Sequence, residues 1–149
     1  MIVLFLETHT FFNARIPCYL VHTLSENRAG FDAMRLTGQK NAMYFTSDAG
    51  FFADPAEQVT LKVIYYDDVA GSTWDVQYDA GGGSLATAIG VTCTGSDNWK
   101  TISATVTNAV MAHNGPNGSD LALVNTEGLD DVFHMIEIER SGRTGSTNP

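Results

Sequence analysis

The sequence predicts an all-β fold, a two-sheet antiparallel β-sandwich of the jelly-roll type with roughly eight or nine strands. Alternation of apolar and polar residues with a period of two runs through the chain, and the periodicity of an amphipathic helix is nearly absent. Turn-forming stretches rich in Gly, Asn, Asp and Ser separate the alternating segments at intervals of about 10–15 residues. Charged residues make up only 17% of the chain and 14 of its 149 residues are glycine, a composition typical of strands and turns.

The clearest strand, residues 58–67, has apolar residues at alternate positions on one face and Tyr66 on the other. A turn-forming stretch follows, and residues 73–79 then alternate again, with Trp74 and Tyr78 on one face and polar residues on the other. These segments predict a hairpin with one buried and one solvated face. We therefore expect Trp74 and Tyr78 to lie in the core.

Further alternating segments complete the sandwich. Strands are predicted at 89–94, 99–107, 120–125 and 132–140, and shorter, less regular strands at 16–22, 32–36 and 43–45. Three consecutive glycines, 81–83, indicate a loop, and residues 109–112 predict a brief helical turn. The chain is therefore expected to form one domain, 15–140, preceded by an apolar arm, 1–14, and followed by a polar tail of linker composition, 141–149.

Charge and composition argue against several classes of partner. Acidic residues outnumber basic residues 17 to 8, and the net charge of −9 argues against nucleic acid and anionic membrane surfaces. No apolar run approaches the about 20 residues that a membrane-spanning helix needs, so no membrane insertion is expected. The apolar start of the chain does not resemble a signal peptide, because no basic residue precedes it and Glu7 interrupts it.

Nothing in the sequence predicts an enzyme. Neither a nucleophile elbow nor a phosphate-binding glycine loop occurs, and the aspartates lie almost entirely at strand ends and turns, where carboxylates cap backbone N–H groups. The histidines are scattered and neither cysteine lies in a Cys-x-x-Cys motif, so these residues predict no metal site. His134 is expected to be a satisfied core or edge residue. A small hydrolase with two carboxylates across a cleft is the most distant alternative.

Four groups of residues resemble motifs of a known class of modules. They are Tyr44-Phe45 with Asp48 and Phe51-Phe52, then 63–67 with 74–79, then Gly95 with 98–101, and finally Asn108-Ala109 with Gly115, Asn117-Gly118 and 120–123. In order and spacing, over about residues 30–140, they are similar to non-catalytic β-jelly-roll modules such as the carbohydrate-binding modules of secreted bacterial proteins and glycoside hydrolases. The resemblance implies a β-sandwich, an extracellular or cell-surface location and no catalysis. It also allows a structural calcium ion, for which no acidic cluster supplies recognisable ligands.

The apolar arm leads to the main functional hypothesis. Its apolar residues are Ile2, Val3, Leu4, Phe5, Leu6, Phe11 and Phe12. A strand that is apolar on both faces risks aggregation when exposed, so it is either the first strand of its own sandwich or an insert in the sheet of a neighbouring copy. Head-to-tail insertion would build a homo-oligomer or filament. The leading prediction is therefore a non-catalytic extracellular subunit that self-assembles by strand donation.

The alternative is a module that binds polysaccharide through exposed aromatic rings, whose faces stack on sugar C–H groups. The candidates are Tyr66, Trp99 and Tyr65. Tyr66 is favoured because it lies on the polar face of its strand, and Trp99 because it begins a strand beside a loop. In this hypothesis the partner is a glycan whose identity the residues do not specify.

Two further features leave alternatives open. Cys18 and Cys93 are the only cysteines, and they predict either one disulfide or two buried free thiols. Asn117 begins an Asn-Gly-Ser sequence that matches the acceptor for N-glycosylation, which is a short and frequent pattern.

Overall fold

The computed structural model describes residues 2–5, 23–38, 42–47 and 57–140, with the backbone alone for residues 2–5, 23, 24 and 57. This part of the chain contains ten strands and one short 3-10 turn, and none of its helices is long and apolar enough to cross a membrane. The strands are β1 (Ile2–Phe5), β2 (Thr23–Arg28), β3 (Phe31–Leu36), β4 (Ala42–Phe45), β5 (Glu57–Asp67), β6 (Thr73–Asp79), β7 (Leu85–Thr92), β8 (Asn98–Ala109), β9 (Leu121–Asn125) and β10 (Asp131–Arg140), and the 3-10 turn is Pro116–Gly118.

The strands form two antiparallel sheets that enclose one core, which confirms the predicted β-sandwich. One sheet has the order β2-β3-β10-β5-β8, with β1 as a sixth strand paired to β10. The other has the order β4-β9-β6-β7. β3 and β1 share one edge of β10, because β3 pairs with the first residues of β10 and β1 with later ones, while β5 occupies the other edge.

Inward-facing apolar side chains of both sheets form the core. Val59 and Val63 of β5 are fully buried, as the period-two pattern predicts. Trp74 of β6 is also fully buried, and its ring packs edge-on against Tyr65 at 5.0 Å and Phe133 at 4.8 Å, both from the opposite sheet. These contacts across the sandwich confirm that Trp74 is a core residue.

Most of the predicted strands are confirmed. The predicted bounds of β6 are those observed, and the bounds of β5, β8, β9 and β10 differ by one or two residues, whereas β7 begins four residues earlier, at Leu85. β2 escaped prediction because Glu26 and Arg28 stand where an alternating strand would carry apolar residues. β2 lies at the edge of its sheet, with β3 as its neighbour, so it needs no apolar face of its own. The strand predicted at 16–22 lies outside the described residues.

The helical turn predicted at 109–112 is wrong. Ala109 ends β8, and Met111 has a φ of 49°, which a right-handed helix does not allow. The N–H groups of Val110 and Met111 instead donate to the carbonyl oxygen of Asp79, at 2.8 and 3.3 Å. A tertiary contact to β6 thus overrides the local preference of this segment, and the 3-10 turn lies further along the same loop.

The N-terminal segment lies in the sheet of its own molecule. β1 pairs antiparallel with β10, with Ile2 opposite Ile138 and Phe5 opposite Met135. This is the first of the two alternatives for the arm and runs contrary to the expected donation to a neighbouring copy, because the pairing edge of β1 is already used within the chain. Leu6, Phe11 and Phe12, the remaining apolar residues of the arm, lie outside the described residues.

Candidate functional site

Aromatic side chains from four neighbouring strands meet on the outer face of the six-stranded sheet, which is turned away from the core. They are Phe31 on β3, His134 on β10, Tyr66 on β5 and Trp99 on β8, and we call them the aromatic patch. The centre of the Trp99 ring is 5.1 Å from that of Tyr66 and 5.7 Å from that of Phe31. His134 lies 5.8 Å from Trp99 and 5.0 Å from Phe31. All four contacts are edge-on or tilted, which aromatic rings prefer over face-to-face stacking.

Hydrogen bonds hold the inner members of the patch in place. The indole N–H of Trp99 donates to the carbonyl oxygen of Arg28 at 3.1 Å. The hydroxyl of Tyr66 donates to the carbonyl oxygen of Asp97 at 2.8 Å, and the guanidinium of Arg28 lies 4.8 Å above the Tyr66 ring. The patch is therefore a rigid surface whose rings are positioned before any ligand arrives.

The three aromatic residues predicted to bind a glycan differ in how exposed they are. Tyr65 lies in the core, 7% exposed and packed on Trp74, so its assignment to a binding surface is wrong. Tyr66 is on the outer face as expected, but it is only 9% exposed because Trp99 and Arg28 cover it. Trp99 is half-buried, and of the three it is the one placed to contact a ligand directly.

Sequence reasoning missed the most exposed ring of the patch. Phe31 is 48% exposed, at the start of β3. Its signal was present, since Phe31 lies an even number of residues from the polar Arg35 and therefore on the solvent side of the strand. His134 is satisfied, as predicted, because its Nδ1 lies 2.7 Å from the carbonyl oxygen of Asp32.

A buried carboxylate shapes the loop that precedes Trp99. Asp67, fully buried at the end of β5, accepts hydrogen bonds from the backbone N–H groups of Thr94, Gly95 and Ser96 and from the hydroxyls of Thr94 and Ser96. The ammonium of Lys100 lies 2.6 Å from the same carboxylate. Burial alone would raise the pKa of Asp67, but these donors outweigh it and hold the pKa well below its ordinary value. The loop is thus anchored to the sheet at a permanently ionised group.

Beside the patch, two arginines and three carboxylates form a network that we call the charged rim: Glu26, Arg28, Arg35, Asp68 and Asp130. Arg35 contacts Glu26 at 2.7 Å and Asp130 at 3.3 Å, and Arg28 contacts Asp68 at 3.0 Å. The hydrogen bonds that Arg35 donates to Glu26 raise the pKa of Arg35 above its ordinary value. Both guanidinium groups are therefore engaged by acidic neighbours from β2 and from the loops after β5 and β9.

Solved structures with the same architecture include sugar-binding modules. The C-terminal family 6 carbohydrate-binding module of the marine laminarinase LamC from Zobellia galactanivorans has a TM-score of 0.53 and 14% identity, covering 93% of this chain and 99% of that chain. The module CsCBM6-3 of Clostridium stercorarium, solved with cellobiose, has a TM-score of 0.52 and 21% identity, covering 93% of both chains. The family 22 module and catalytic module of Clostridium thermocellum xylanase 10B, solved with xylohexaose, have a TM-score of 0.52 and 16% identity, covering 81% of this chain and 25% of that chain.

The chain has the fold of carbohydrate-binding modules. This confirms the resemblance inferred from the sequence motifs at the level of fold. No protein-family model matches the chain, and a search of the curated proteins finds no significant match.

The four-stranded sheet also has a face turned away from the core. The strand register aligns Tyr44, Ala122, Gln77 and Thr87 in one row across β4, β9, β6 and β7 of this face. Tyr44 is half-buried and is the one aromatic residue that the described strands place there. The face therefore offers a single ring where the aromatic patch offers several.

The described part of the module does not match a metal centre. It contains no group of three or more His, Cys, Asp or Glu side chains arranged to hold an ion. Its most buried carboxylates are already occupied, since Asp67, Asp79 and Asp120 each accept hydrogen bonds from backbone N–H groups. Calcium also takes backbone carbonyl and water oxygens as ligands, so the structural calcium ion that the resemblance allows stays a prediction.

The remaining predicted residues lie away from the patch. Cys93 is a free thiol, 5% exposed, and burial raises its pKa to about 11, whereas Cys18 lies outside the described residues. Asn117 is exposed on the loop between β8 and β9, with a φ of 57°. That position leaves its side chain accessible, and glycosylation of Asn117 stays a prediction.

The buried carboxyl group of Asp131 should make the stability of the fold depend on pH. Asp131 is 3% exposed at the start of β10, and its carboxylate accepts hydrogen bonds from Ser72 at 2.6 Å and Asn125 at 2.7 Å, while no lysine or arginine of the described residues forms an ion pair with it. Burial raises its pKa to about 6 from an ordinary 3.8. Because the folded state binds the proton more tightly, the contribution of Asp131 to stability is greatest below pH 4 and is lost as the pH rises to about 6.

The Asp131→Asn variant tests this expectation by urea unfolding between pH 4 and 7. Relative to this variant, the wild-type protein should lose up to about 3 kcal/mol of unfolding free energy between pH 4 and 6, and the difference should then stay constant. Other titrating groups contribute equally to both proteins and cancel in the comparison. Parallel pH profiles for the two proteins would show that Asp131 does not titrate in this range.

Proposed function

We propose that this chain is a non-catalytic carbohydrate-binding module, secreted or displayed at the cell surface, which attaches to polysaccharide through the aromatic patch. Modules of the same fold have been solved with cellobiose and with xylohexaose, which supports this class of ligand. The observation that carries the proposal is the exposed ring of Phe31 beside Trp99, at 5.7 Å, on a rigid sheet face.

The chemistry of the patch suits a sugar ring. Pyranoses present C–H groups on their faces, and these pack favourably on aromatic rings, while polar groups at the edge can bind hydroxyls. The carbonyl oxygens of Asp32 and Asp97 are hydrogen-bonded to the His134 and Tyr66 side chains, and the Asp97 side chain, in the loop before Trp99, is exposed. Since those bonds already order the patch, little conformational entropy remains to be lost when a glycan binds.

Binding to immobilised polysaccharides tests the proposal, with Phe31→Ala as the first variant. Phe31 is the most exposed ring of the patch, so its removal should leave the fold intact. We expect the variant to bind about tenfold more weakly to any polysaccharide that binds the wild-type protein. This is the effect of losing an aromatic contact worth about 1–1.5 kcal/mol. Trp99→Ala should weaken binding at least as much, because Trp99 contacts every other ring of the patch.

Tyr44→Ala is the matched control, since it removes one half-buried ring from the opposite sheet. It should bind like the wild type. Thermal unfolding of all three variants separates lost binding from lost structure. If Tyr44→Ala weakens binding and Phe31→Ala does not, the glycan lies on the four-stranded sheet. If neither variant changes the affinity, the aromatic patch is not the binding surface.

A further inference from the structure

We infer that the glycan held at the aromatic patch is uncharged and that the module rejects polysaccharides carrying uronate or sulfate groups. The inference rests on the proposed function and follows from how the cationic side chains around the patch are used. Recognition of an anionic sugar needs a guanidinium or ammonium group with free hydrogen-bond donors. The described surface near the patch has its cations committed to carboxylates of the same chain.

Arg28 is the cation closest to the patch, and its charge is already neutralised. Its guanidinium lies over the Tyr66 ring at 4.8 Å, and one terminal nitrogen is 3.0 Å from Asp68. The other terminal nitrogen is 3.8 Å from Glu26. An anionic sugar that approached Arg28 would have to compete with two carboxylates that are covalently part of the module.

Arg35 is still more strongly engaged. It makes two contacts with Glu26, at 2.7 and 3.1 Å, and further contacts with Asp68 at 3.7 Å and Asp130 at 3.3 Å. The charged rim as a whole therefore places two guanidinium groups against three carboxylates. Its net charge is negative, so it repels a uronate or a sulfate rather than attracting it.

The other described cations do not compensate. Lys100 lies 2.6 Å from Asp67, and Lys62 lies 2.8 Å from Glu137. Arg140 interacts within the molecule and stands at the far end of β10, six residues and thus about 20 Å along the strand from His134. The remaining basic residues of the chain, Arg15, Lys40 and Arg143, lie outside the described residues.

An exposed carboxylate adds to the repulsion. Asp97 lies in the loop before Trp99, is exposed, and contacts no lysine or arginine among the described ion pairs. The chain as a whole carries a net charge of −9. An anionic sugar would lose hydration at the patch and meet the acidic groups of the charged rim, whereas the hydroxyls of a neutral sugar can donate hydrogen bonds to carboxylates.

The experiment measures binding of the full chain to immobilised neutral polysaccharides, namely β-glucans, xylan and mannan, and to anionic ones, namely alginate and carrageenan. It is run at pH 8, where histidine in general is neutral, at about 0.01 M and 0.15 M salt, for which the Debye lengths are about 30 and 8 Å. We expect binding to at least one neutral polysaccharide, with the same affinity at both salt concentrations. We expect no binding to the anionic ones.

A gain-of-binding variant sharpens the test. Replacing Glu26→Gln together with Asp68→Asn removes two of the three acidic partners of Arg28 and Arg35. This double variant should gain weak binding to alginate or carrageenan at low salt that disappears at high salt, while Asp130→Asn alone, which leaves both of those acidic partners in place, should gain none. Thermal unfolding confirms that each variant is folded.

The outcomes distinguish this inference from the proposed function. If the wild-type protein binds an anionic polysaccharide at low salt and Phe31→Ala weakens that binding, the module is a glycan binder and the inference is overturned. If it binds none of the neutral or anionic polysaccharides, the proposed function itself fails. Binding to a neutral polysaccharide alone, weakened by Phe31→Ala, supports both.

Discussion

Replacing Asp67 by alanine is expected to lower the free energy of unfolding by about 3–5 kcal/mol, enough to unfold a domain of ordinary stability at modest temperature. The carboxylate is fully buried and accepts bonds from three consecutive backbone N–H groups and two hydroxyls. Alanine would leave those donors without a partner, and each buried unsatisfied donor costs about 1–3 kcal/mol. Because the loop before Trp99 depends on these bonds, glycan binding should weaken as well.

Lys100→Met is the matched comparison for Asp67→Ala. Lys100 contacts the same carboxylate but is itself partly exposed, so its removal should cost much less than removal of the carboxylate. Urea unfolding of both variants at pH 7 gives the comparison. Equal losses would show that the ion pair, and not the capping of the loop, provides the stability.

The acid sensitivity of the loop follows from the same contacts. The pKa of Asp67 lies well below its ordinary value of 3.8, so its stabilising contribution is fully present above that value. The contribution is lost only as the pH falls through the lower value of the folded state. This direction is opposite to that of Asp131, whose contribution disappears as the pH rises to about 6.

The second large effect is expected at the centre of the core. Trp74→Ala should lower the free energy of unfolding by about 3–5 kcal/mol, because the ring is fully buried and packs edge-on against Tyr65 and Phe133 from the opposite sheet. The cavity would separate the two sheets at the point where they interlock. We expect the variant to be largely unfolded, as judged by loss of near-ultraviolet circular dichroism.

Trp74→Phe separates packing from hydrogen bonding. The indole N–H of Trp74 is buried and has no hydrogen-bond partner among the described residues. Phenylalanine removes at most a weak contact of this N–H with the Cys93 thiol and keeps an aromatic ring against Tyr65 and Phe133, so the loss of unfolding free energy should fall to about 1–2 kcal/mol. If Trp74→Phe were as damaging as Trp74→Ala, the N–H would have a bonding role that the static structure does not show.

Much of the fold could be predicted from the sequence because its strands repeat with a period of two over long stretches. The bounds of β5 and β6 match the prediction within one residue, and Trp74 is buried as expected. The predicted hairpin of these two strands is wrong, because β5 pairs with β10 and β8 in one sheet and β6 pairs with β9 and β7 in the other. Where a tertiary bond competes with local preference, prediction failed: the Asp79 carbonyl oxygen accepts hydrogen bonds from the N–H groups of Val110 and Met111, and Met111 has a non-helical φ. The edge strand β2 was missed because it carries no apolar face.

The candidate site was predicted only in part. Alternation placed Tyr66 on the outer face correctly, and Trp99 was a candidate because it begins a strand beside a loop. Neither observation shows that Arg28, 38 residues before Tyr66, lies over the Tyr66 ring. Tyr65 was offered as a ligand contact although its own pattern placed it with the core residues of β5, and the structure follows the pattern. Alternation places Phe31 on the solvent side of β3, but only the order of β3, β10, β5 and β8 in the sheet brings its ring next to Trp99.

The N-terminal arm was expected to pair with a neighbouring copy, whereas β1 pairs with β10 of its own chain. The apolar sequence of the arm determined that the segment belongs in a sheet, because both faces of the strand need cover. Which sheet it joins depends on an open edge, and that edge is provided by residues 135–138 of β10, at least 130 positions away along the chain. No local pattern contains this information.

By itself, the sequence determined the class of fold, the faces of the longer strands and the acidic character of the molecule, all of which are properties of short segments or of composition. The tertiary structure decided which rings form a surface, which cations are neutralised and where the arm pairs. These depend on strand order, and strand order is set by contacts between residues far apart in the chain, such as Phe31 with Trp99 and Arg35 with Asp130.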